Sequence, residues 1–202
     1  SIRSAVEQLG RMPSADEDQV ALTRLVVRES DRIARLLTEF LDFARVSTTA
    51  VAPIDVARLV REVAALVTAH PDRAPATRID VAVTTARATV EGDPDLLHRA
   101  LFNLALNAAQ AVDDGGTVRI VVADAPPATL GAAAGGDAPL ELRVEDDGPG
   151  MPDDVRARIF TPFFTTKPQG SGLGLPVVHR AIEAHRGAVF VESAPGRGTR
   201  FT

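Results

Sequence analysis

The chain has 202 residues, 45% hydrophobic and 24% charged, with a formal net charge of −5 and a pI near 5.4. Those values describe an ordinary globular protein and exclude a disordered one, and the absence of any basic patch excludes a nucleic-acid partner. There is no cysteine, hence no disulfide framework and no thiolate zinc site, and the apolar runs end well short of the ~20 residues that a spanning helix needs.

In chain order, the spacing predicts a helix from Glu17 to Arg45. Along it Leu22, Val26, Glu29, Ile33, Leu36, Phe40 and Phe43 step alternately by 4 and 3, a heptad seam. Ile2, Val6 and Leu9 begin a similar stripe, and MPSADED, with Pro13 and the capping candidates Ser14 and Asp16, reads as the turn of an antiparallel hairpin. The first helix has barely three turns against roughly eight in its partner, so it reads as cut short. Such a hairpin does not bury its seam alone, and a four-helix bundle completed by a second copy is expected. STTAVAP, residues 47–53, reads as a linker at a domain boundary.

Beyond it we expect a helix from Ile54 to about His70, strands at Arg78–Thr85 and Ala88–Glu91, a helix from Pro94 to Val112 and a strand from Thr117 to Ala123. DAPPATLGAAAGGDAP reads as a flexible hairpin loop, followed by the strand LELRVED, a short helix in PDDVRARIF, a helix ending at His185, and a last hairpin, AVFVES and GTRFT, turned by PGRG. Helices and strands mixed without strict βαβ alternation predict an α+β chain: a helical hairpin followed by an α/β sandwich with one mixed sheet.

Three stretches carry chemistry. In HRALFNLALNAAQAV, Asn103 and Asn107 are four apart and share a helix face that is otherwise apolar, where carboxamides are costly without partners. VEDDGPGM places Asp146 at a strand end before a GxG turn. FTPFFTTKPQGSGLGL has Lys167, the only lysine of the chain, ahead of Gly170, Gly172 and Gly174, and passes directly into a helical pattern. That junction suits backbone amides that approach an anion at a helix start.

In this order and spacing the stretches resemble the ATP-binding domain of sensor histidine kinases, in the superfamily shared with gyrase and related ATPases (the GHKL, or Bergerat, fold). NLALNA looks like the N box, DDGPGM the first glycine box, FTPFFTTK the F box and GSGLGL the second glycine box. GRGT matches a further glycine turn, and RESDRIARLLTEFLDFAR looks like the second helix of the dimerisation and phosphotransfer hairpin, the nitrogen-regulation type of sensor kinase being nearest in tone. The resemblance divides the chain into a truncated hairpin, 1–46, a linker, 47–53, and a catalytic domain, 54–202.

The cofactors implied are ATP and Mg²⁺. Asp146 would accept the exocyclic amine of adenine, with Thr199 behind it, and Gly148 and Gly150 would keep the turn free of side chains. Asn107 would be the metal ligand, steadied by Asn103. Gly170, Gly172, Leu173 and Gly174 would present backbone amides to the phosphates, and Lys167 a mobile charge to the terminal phosphate. Phe163 and Phe164 would anchor the lid against the core. Asn103 stands where hydrolysing relatives carry a glutamate, so the general base is missing and transfer is favoured over hydrolysis. Gln110 stands where many histidine kinases have a basic residue.

The implied activity is phosphorylation of a histidine within a homodimer, then passage to the aspartate of a response-regulator receiver domain, in the cytoplasm, with no membrane contact by these residues. His70, His98, His179 and His185 are the only histidines and read as surface or capping residues, so the acceptor is expected upstream of Ser1. The alternatives are an ATP-binding scaffold or sensor without transfer, and a phosphatase-dominant member. An ATPase or serine kinase of the superfamily is disfavoured by Asn103 and by the hairpin.

Overall fold

The structure, a computed structural model, describes residues 17–44, 50–86, 88–125, 139–167 and 170–202. The expected first bundle helix, its turn at Pro13, Ser14 and Asp16, and the body of the alanine-rich loop lie outside them. The chain divides into two compact units, Ser1–Arg45 and Val46–Thr202.

In the first unit, helix α1 spans Glu17–Ala44. On its seam Leu22 is 61% and Ile33 66% exposed, Val26 and Phe40 are also exposed, and Leu36 and Phe43 are half-buried. Glu29, the one charged residue on the seam, lies 3.6 Å from Arg32 one turn on.

The second unit begins with strand β1, Ala52–Asp55, antiparallel to β3, Thr89–Gly92. This corrects the expected helix start at Ile54 and converts the last two linker residues to strand. Asp55 decides the boundary, because its carboxylate accepts the amide of Arg58 at 2.9 Å and caps helix α2, Val56–Thr68. Ile54 is buried opposite Val90. Helix α2 buries Val56, Leu59, Val60, Val63, Ala64 and Val67, one stripe at helical spacing.

Five strands form the main sheet in the order β2-β4-β5-β7-β6. Strand β2 (Arg78–Val83) runs parallel to β4 (Thr117–Asp124); β5 (Leu140–Asp146), β6 (Val191–Ser193) and β7 (Thr199–Phe201) pair antiparallel. Alternation sorts the two faces. Val118, Ile120 and Val122 of β4, with Val144 of β5 and Phe201 of β7, enter the core beneath α2 and helix α3, Pro94–Ala111. The opposite face carries a charged row in which Arg143 meets Glu141 at 2.7 Å and Arg200 meets Glu145 at 2.9 Å and Glu192 at 3.1 Å. The exposed Arg200–Glu192 pair contributes little to stability, whereas Arg143 and Glu141 are half-buried. Helix α4 is a single turn, Asp153–Arg156, shorter than PDDVRARIF suggests, and α5, Gly174–Ala184, packs on α3.

One histidine joins α3 to α5 at the end of the layer remote from Asn107. Asp93 caps α3 by accepting the amides of Asp95 and Leu96 at 3.1 and 3.2 Å. Its own backbone N–H donates to His185 Nε2 at 2.7 Å, while His185 Nδ1 lies 2.6 Å from the carbonyl of Ala181. Accepting at Nε2 requires the ring proton on Nδ1. A Cβ at Gly92 would stand 2.6 Å from the same ring. Gly92→Ala is therefore expected to destabilise the second unit by overpacking, by about 1–3 kcal/mol. His185→Leu, which strands the Asp93 amide, should cost about 1–3 kcal/mol as well. Urea unfolding checks both, and an unchanged midpoint for His185→Leu would remove the latch from the description.

Candidate functional site

Helix α3 supplies the floor. Its apolar face is buried through Ala100, Leu101, Leu104, Ala105, Ala108 and Ala109, and Asn103, Asn107 and Gln110, spaced by 4 and 3, form the adjoining polar stripe. The start of α5 lies against that stripe: a Cβ on Gly174 would sit 3.6 Å from Asn103 Oδ1 and 3.7 Å from Asn107 Nδ2. Lys167 also reaches the stripe, its Nζ donating to Asn107 Oδ1 at 3.1 Å and to Gln110 Oε1 at 2.7 Å. Gln110 was read from the sequence only as a missing charge; its role as acceptor for Lys167 required the folded chain.

Asp146 ends β5 at the C-terminal end of the same helix. Its carboxylate accepts the amide of Gly148 at 3.0 Å, and the Thr199 backbone amide also favours its ionised form. Burial nonetheless dominates and raises the Asp146 pKa above the ordinary 3.8, with Asp147 adding to the rise and Lys167 opposing it. Burial likewise lowers the Lys167 pKa from 10.5, against the pull of Asp146. The cleft thus holds one anion and one cation, both partly stripped of water.

The turn after Asp146 is crowded by backbone. Gly150 has φ +67°, and a Cβ there would run into the carbonyl oxygen of Ala194, so the position takes no side chain. Gly148 lies beneath the carbonyl of Ala111, the last residue of α3.

Thr199 pairs with Asp146 in register, but its hydroxyl is 3.0 Å from Ser193 Oγ, which also accepts the Met151 amide at 2.9 Å and donates to the Gly198 carbonyl at 3.0 Å. Thr199 therefore supports Asp146 through its backbone, while its side chain belongs to this serine hub. Sequence reasoning missed Ser193, whose only signal was a small hydroxyl residue at the end of a short strand.

At the glycine junction, Gly172 has φ +70° and presses on the backbone of Phe163 and Phe164, with its carbonyl accepting the Phe163 amide at 3.0 Å. Gly170 donates its amide to the Lys167 carbonyl at 3.1 Å, closing the loop that carries the lysine. Leu173 is a buried anchor, 1% exposed, and its amide donates to Ser171 Oγ at 3.2 Å rather than facing the cleft. No side chain caps the start of α5, so its first amides are available to an anion. Phe163 does not anchor the segment against the core, as expected from sequence: it is 62% exposed at φ +66°, while Phe164 lies under the guanidinium of Arg158, 4.2 Å from the ring centre.

The structure therefore gathers Asn103, Asn107, Gln110, Lys167 and Gly174 at one cleft, with Asp146, Gly148 and Thr199 at the adjoining strand end. A separate cavity of about 640 Å³, lined by Leu97, Leu101, Leu142, His185 and Phe190 among others, lies by the N-terminal half of α3 and contains none of these residues. Among the described residues no cluster of three or more His, Asp or Glu side chains forms a metal cage, and no helix is long and apolar enough to cross a membrane.

Residues 92–202, which contain every one of these site residues, match the family described as histidine kinase-, DNA gyrase B-, and HSP90-like ATPase. The chain belongs to this family. Over 202 residues it is 31% identical to the sensor histidine kinase ZraS of Klebsiella oxytoca, covering the whole chain and 41% of that relative. It is 34% identical to the sensory histidine kinase/phosphatase NtrB of Rhodobacter capsulatus over 94% of the chain and 53% of the relative. The chain thus spans about half or less of the length of these relatives. Full-length ShkA, solved in complex with AMPPNP, shares the fold at a TM-score of 0.73 and 29% identity, over 99% of this chain and 42% of that one.

The shift at Asp146 has a stability consequence for this ATPase-family domain. With a folded pKa above 3.8, the folded state binds more protons than the unfolded state between those two values. The contribution of Asp146 to stability accordingly becomes less favourable as pH rises through that window. Urea titrations at pH 4 and pH 7 without nucleotide should show the parent losing stability relative to Asp146→Asn as pH rises; a gap that is constant or of opposite sign would contradict the burial of this carboxylate.

Proposed function

We propose that this chain is the catalytic core of a sensor histidine kinase, which binds ATP with Mg²⁺ at the α3 cleft and transfers the terminal phosphoryl group to a histidine of the dimerisation bundle. The observation that carries the reading is the convergence of Asn103, Asn107, Lys167 and the uncapped start of α5 on one cleft whose other end holds Asp146. A carboxylate held by two backbone amides is a directional acceptor for the exocyclic amine of adenine, and a charge-assisted bond there favours adenine over guanine. The α5 start and Lys167 then meet the phosphates.

The donor set fits Mg²⁺. Asn107 Oδ1 is a hard oxygen that already takes a cationic head in the structure, and with no cage of carboxylates and histidines among the described residues the remaining ligands would be phosphate oxygens and water, the usual habit of this ion. When bound, the metal neutralises charge on the phosphates. Asn107 holds it, Asn103 occupies the position of a general base without being one, and the chemistry that remains is positioning and charge stabilisation.

We assign α1 to the dimerisation hairpin, residues 1–46, joined by 47–53 to the ATP-binding domain, and the second copy to the exposed Leu22, Val26, Ile33 and Phe40 face. A receiver-domain aspartate is the onward acceptor. The histidines at 70, 98, 179 and 185 all belong to the ATP-binding unit and not to the hairpin.

Asp146→Asn should weaken ATP binding by about 1.5–3 kcal/mol, the loss of one charge-assisted hydrogen bond, with calorimetry as the measurement; an unchanged affinity would remove the adenine assignment. Ile33→Glu on the seam should turn dimers of the full-length protein into monomers in sedimentation, and an intact dimer would move the second copy elsewhere. With radiolabelled ATP, the full-length protein should acquire acid-labile label that passes to its receiver domain, whereas residues 1–202 alone should bind nucleotide without labelling. Acid-stable label would mean a serine or threonine kinase, and binding without any label in the full-length protein would mean a scaffold.

A further inference from the structure

The lone lysine and Gln110 form a pair that this functional reading does not use. Lys167 belongs to the Thr161–Lys167 stretch, which folds on itself locally: the Phe164 amide donates to the Thr161 carbonyl at 3.1 Å and the Lys167 amide to Thr165 Oγ1 at 3.1 Å. Its side chain links the stretch to α3. Two of the three ammonium protons are committed, to Gln110 Oε1 at 2.7 Å and to Asn107 Oδ1 at 3.1 Å, and Gln110 has the shorter bond.

The chemistry of the two acceptors differs. Asn107 is the residue assigned to the metal, and its Oδ1 does not serve an ammonium ion and a divalent cation together, because two positive centres at one oxygen repel strongly. Gln110 stands one turn further along the helix and has no such competitor. A neutral carboxamide is also the side chain that holds a cation without neutralising it, so Lys167 keeps its full charge for a phosphate; a glutamate would quench that charge and a basic residue would expel the lysine.

We infer that Gln110 is the positioning residue for Lys167: it tethers the Thr161–Lys167 lid to α3, and when the metal takes Asn107 Oδ1 the ammonium gives up that oxygen, stays on Gln110 and turns its freed protons to the terminal phosphate. The inference rests on the nucleotide reading for its second half, whereas the tether stands on geometry alone.

The test separates the halves. Hydrogen exchange of the Thr161–Lys167 amides is measured without nucleotide in the parent, Gln110→Leu and Gln110→Glu. The leucine variant should exchange roughly tenfold faster, the consequence of losing one charge-assisted hydrogen bond, and the glutamate variant should exchange more slowly than the parent. In a Lys167→Ala background neither substitution should matter. A residue with a merely structural role would move both variants in the same direction and would act in the absence of the lysine. Because the chain has one lysine, isotope-labelled lysine gives a single side-chain resonance. That resonance should shift when Mg²⁺ and a non-hydrolysable ATP analogue are added to the parent, and the shift in Gln110→Leu should be smaller and broadened. Unaltered lid exchange in Gln110→Leu, or an undiminished effect in the Lys167→Ala background, overturns the tether. Binding of the analogue with an unmoved lysine resonance overturns the exchange of partners, and failure of the analogue to bind at all, with the tether intact, sinks the nucleotide reading instead.

Discussion

Helix α3 has to face two environments at once, and the rest of the second unit is arranged around that demand. On one side it buries four alanines and three leucines, and the small side chains let sheet and helix approach closely while retaining close packing. On the other it presents three carboxamides at i, i+4 and i+7. A buried helix with polar groups on an uncovered stripe is stable only if those groups find partners. For Asn107 and Gln110 that partner is Lys167, which ties the stretch ahead of α5 to the helix, while half-buried Asn103 keeps access to water beside Gly174. Both ends of α3 are likewise fixed from outside, the first by the His185 acceptor for Asp93 and the last by the glycine turn under Ala111.

The two charged groups of the cleft show what that arrangement costs. Burial disfavours the charge on both Asp146 and Lys167, and each only partly relieves the other. On the outer face of the sheet, Glu141, Arg143, Glu145, Arg200 and Glu192 pair in a row, and the exposed Arg200–Glu192 end of it is screened by water and contributes little to stability. The charges that matter to folding are thus the two that strain it, and a ligand bringing an amine to one and an anion to the other relieves both.

Much of this was legible in the sequence because it is written in local periods. The stripe of α2, the β4 alternation and the glycine boxes all lie within one element or turn, whereas the cap Asp55 was passed over and the helix start misplaced at Ile54. Family resemblance then supplied which boxes belong to one cleft. What stayed hidden depends on partners distant in sequence. Strand β1 is four residues with a proline, and nothing in APID marks a strand until Ile54 meets Val90. Ser193 joins the turn at Met151 to Gly198 and Thr199 through one hydroxyl, and a lone serine has no pattern to reveal that. His185 looked like a helix-end histidine, and it is one; that its other nitrogen caps the backbone entering a second helix requires knowing that α3 and α5 lie side by side.

Gln110 is the sharpest case of the same limit. Read along the helix, a glutamine in place of a basic residue is a subtraction: one positive charge fewer near the phosphates. In the folded chain a positive charge nevertheless lies at this position, carried by Lys167 on the stretch ahead of α5 and accepted by the glutamine at 2.7 Å. In the proposed function a charge fixed on α3 would act on the phosphates whatever the Thr161–Lys167 stretch is doing, whereas a charge carried by Lys167 would reach them only when that stretch is in place. Electrostatic stabilisation of a transferring phosphoryl group depends on preorganised charge at close range, so under the proposed function a cation carried by this stretch would tie reactivity to the placement of the stretch. In this arrangement the neutrality of residue 110 is the feature that permits the coupling.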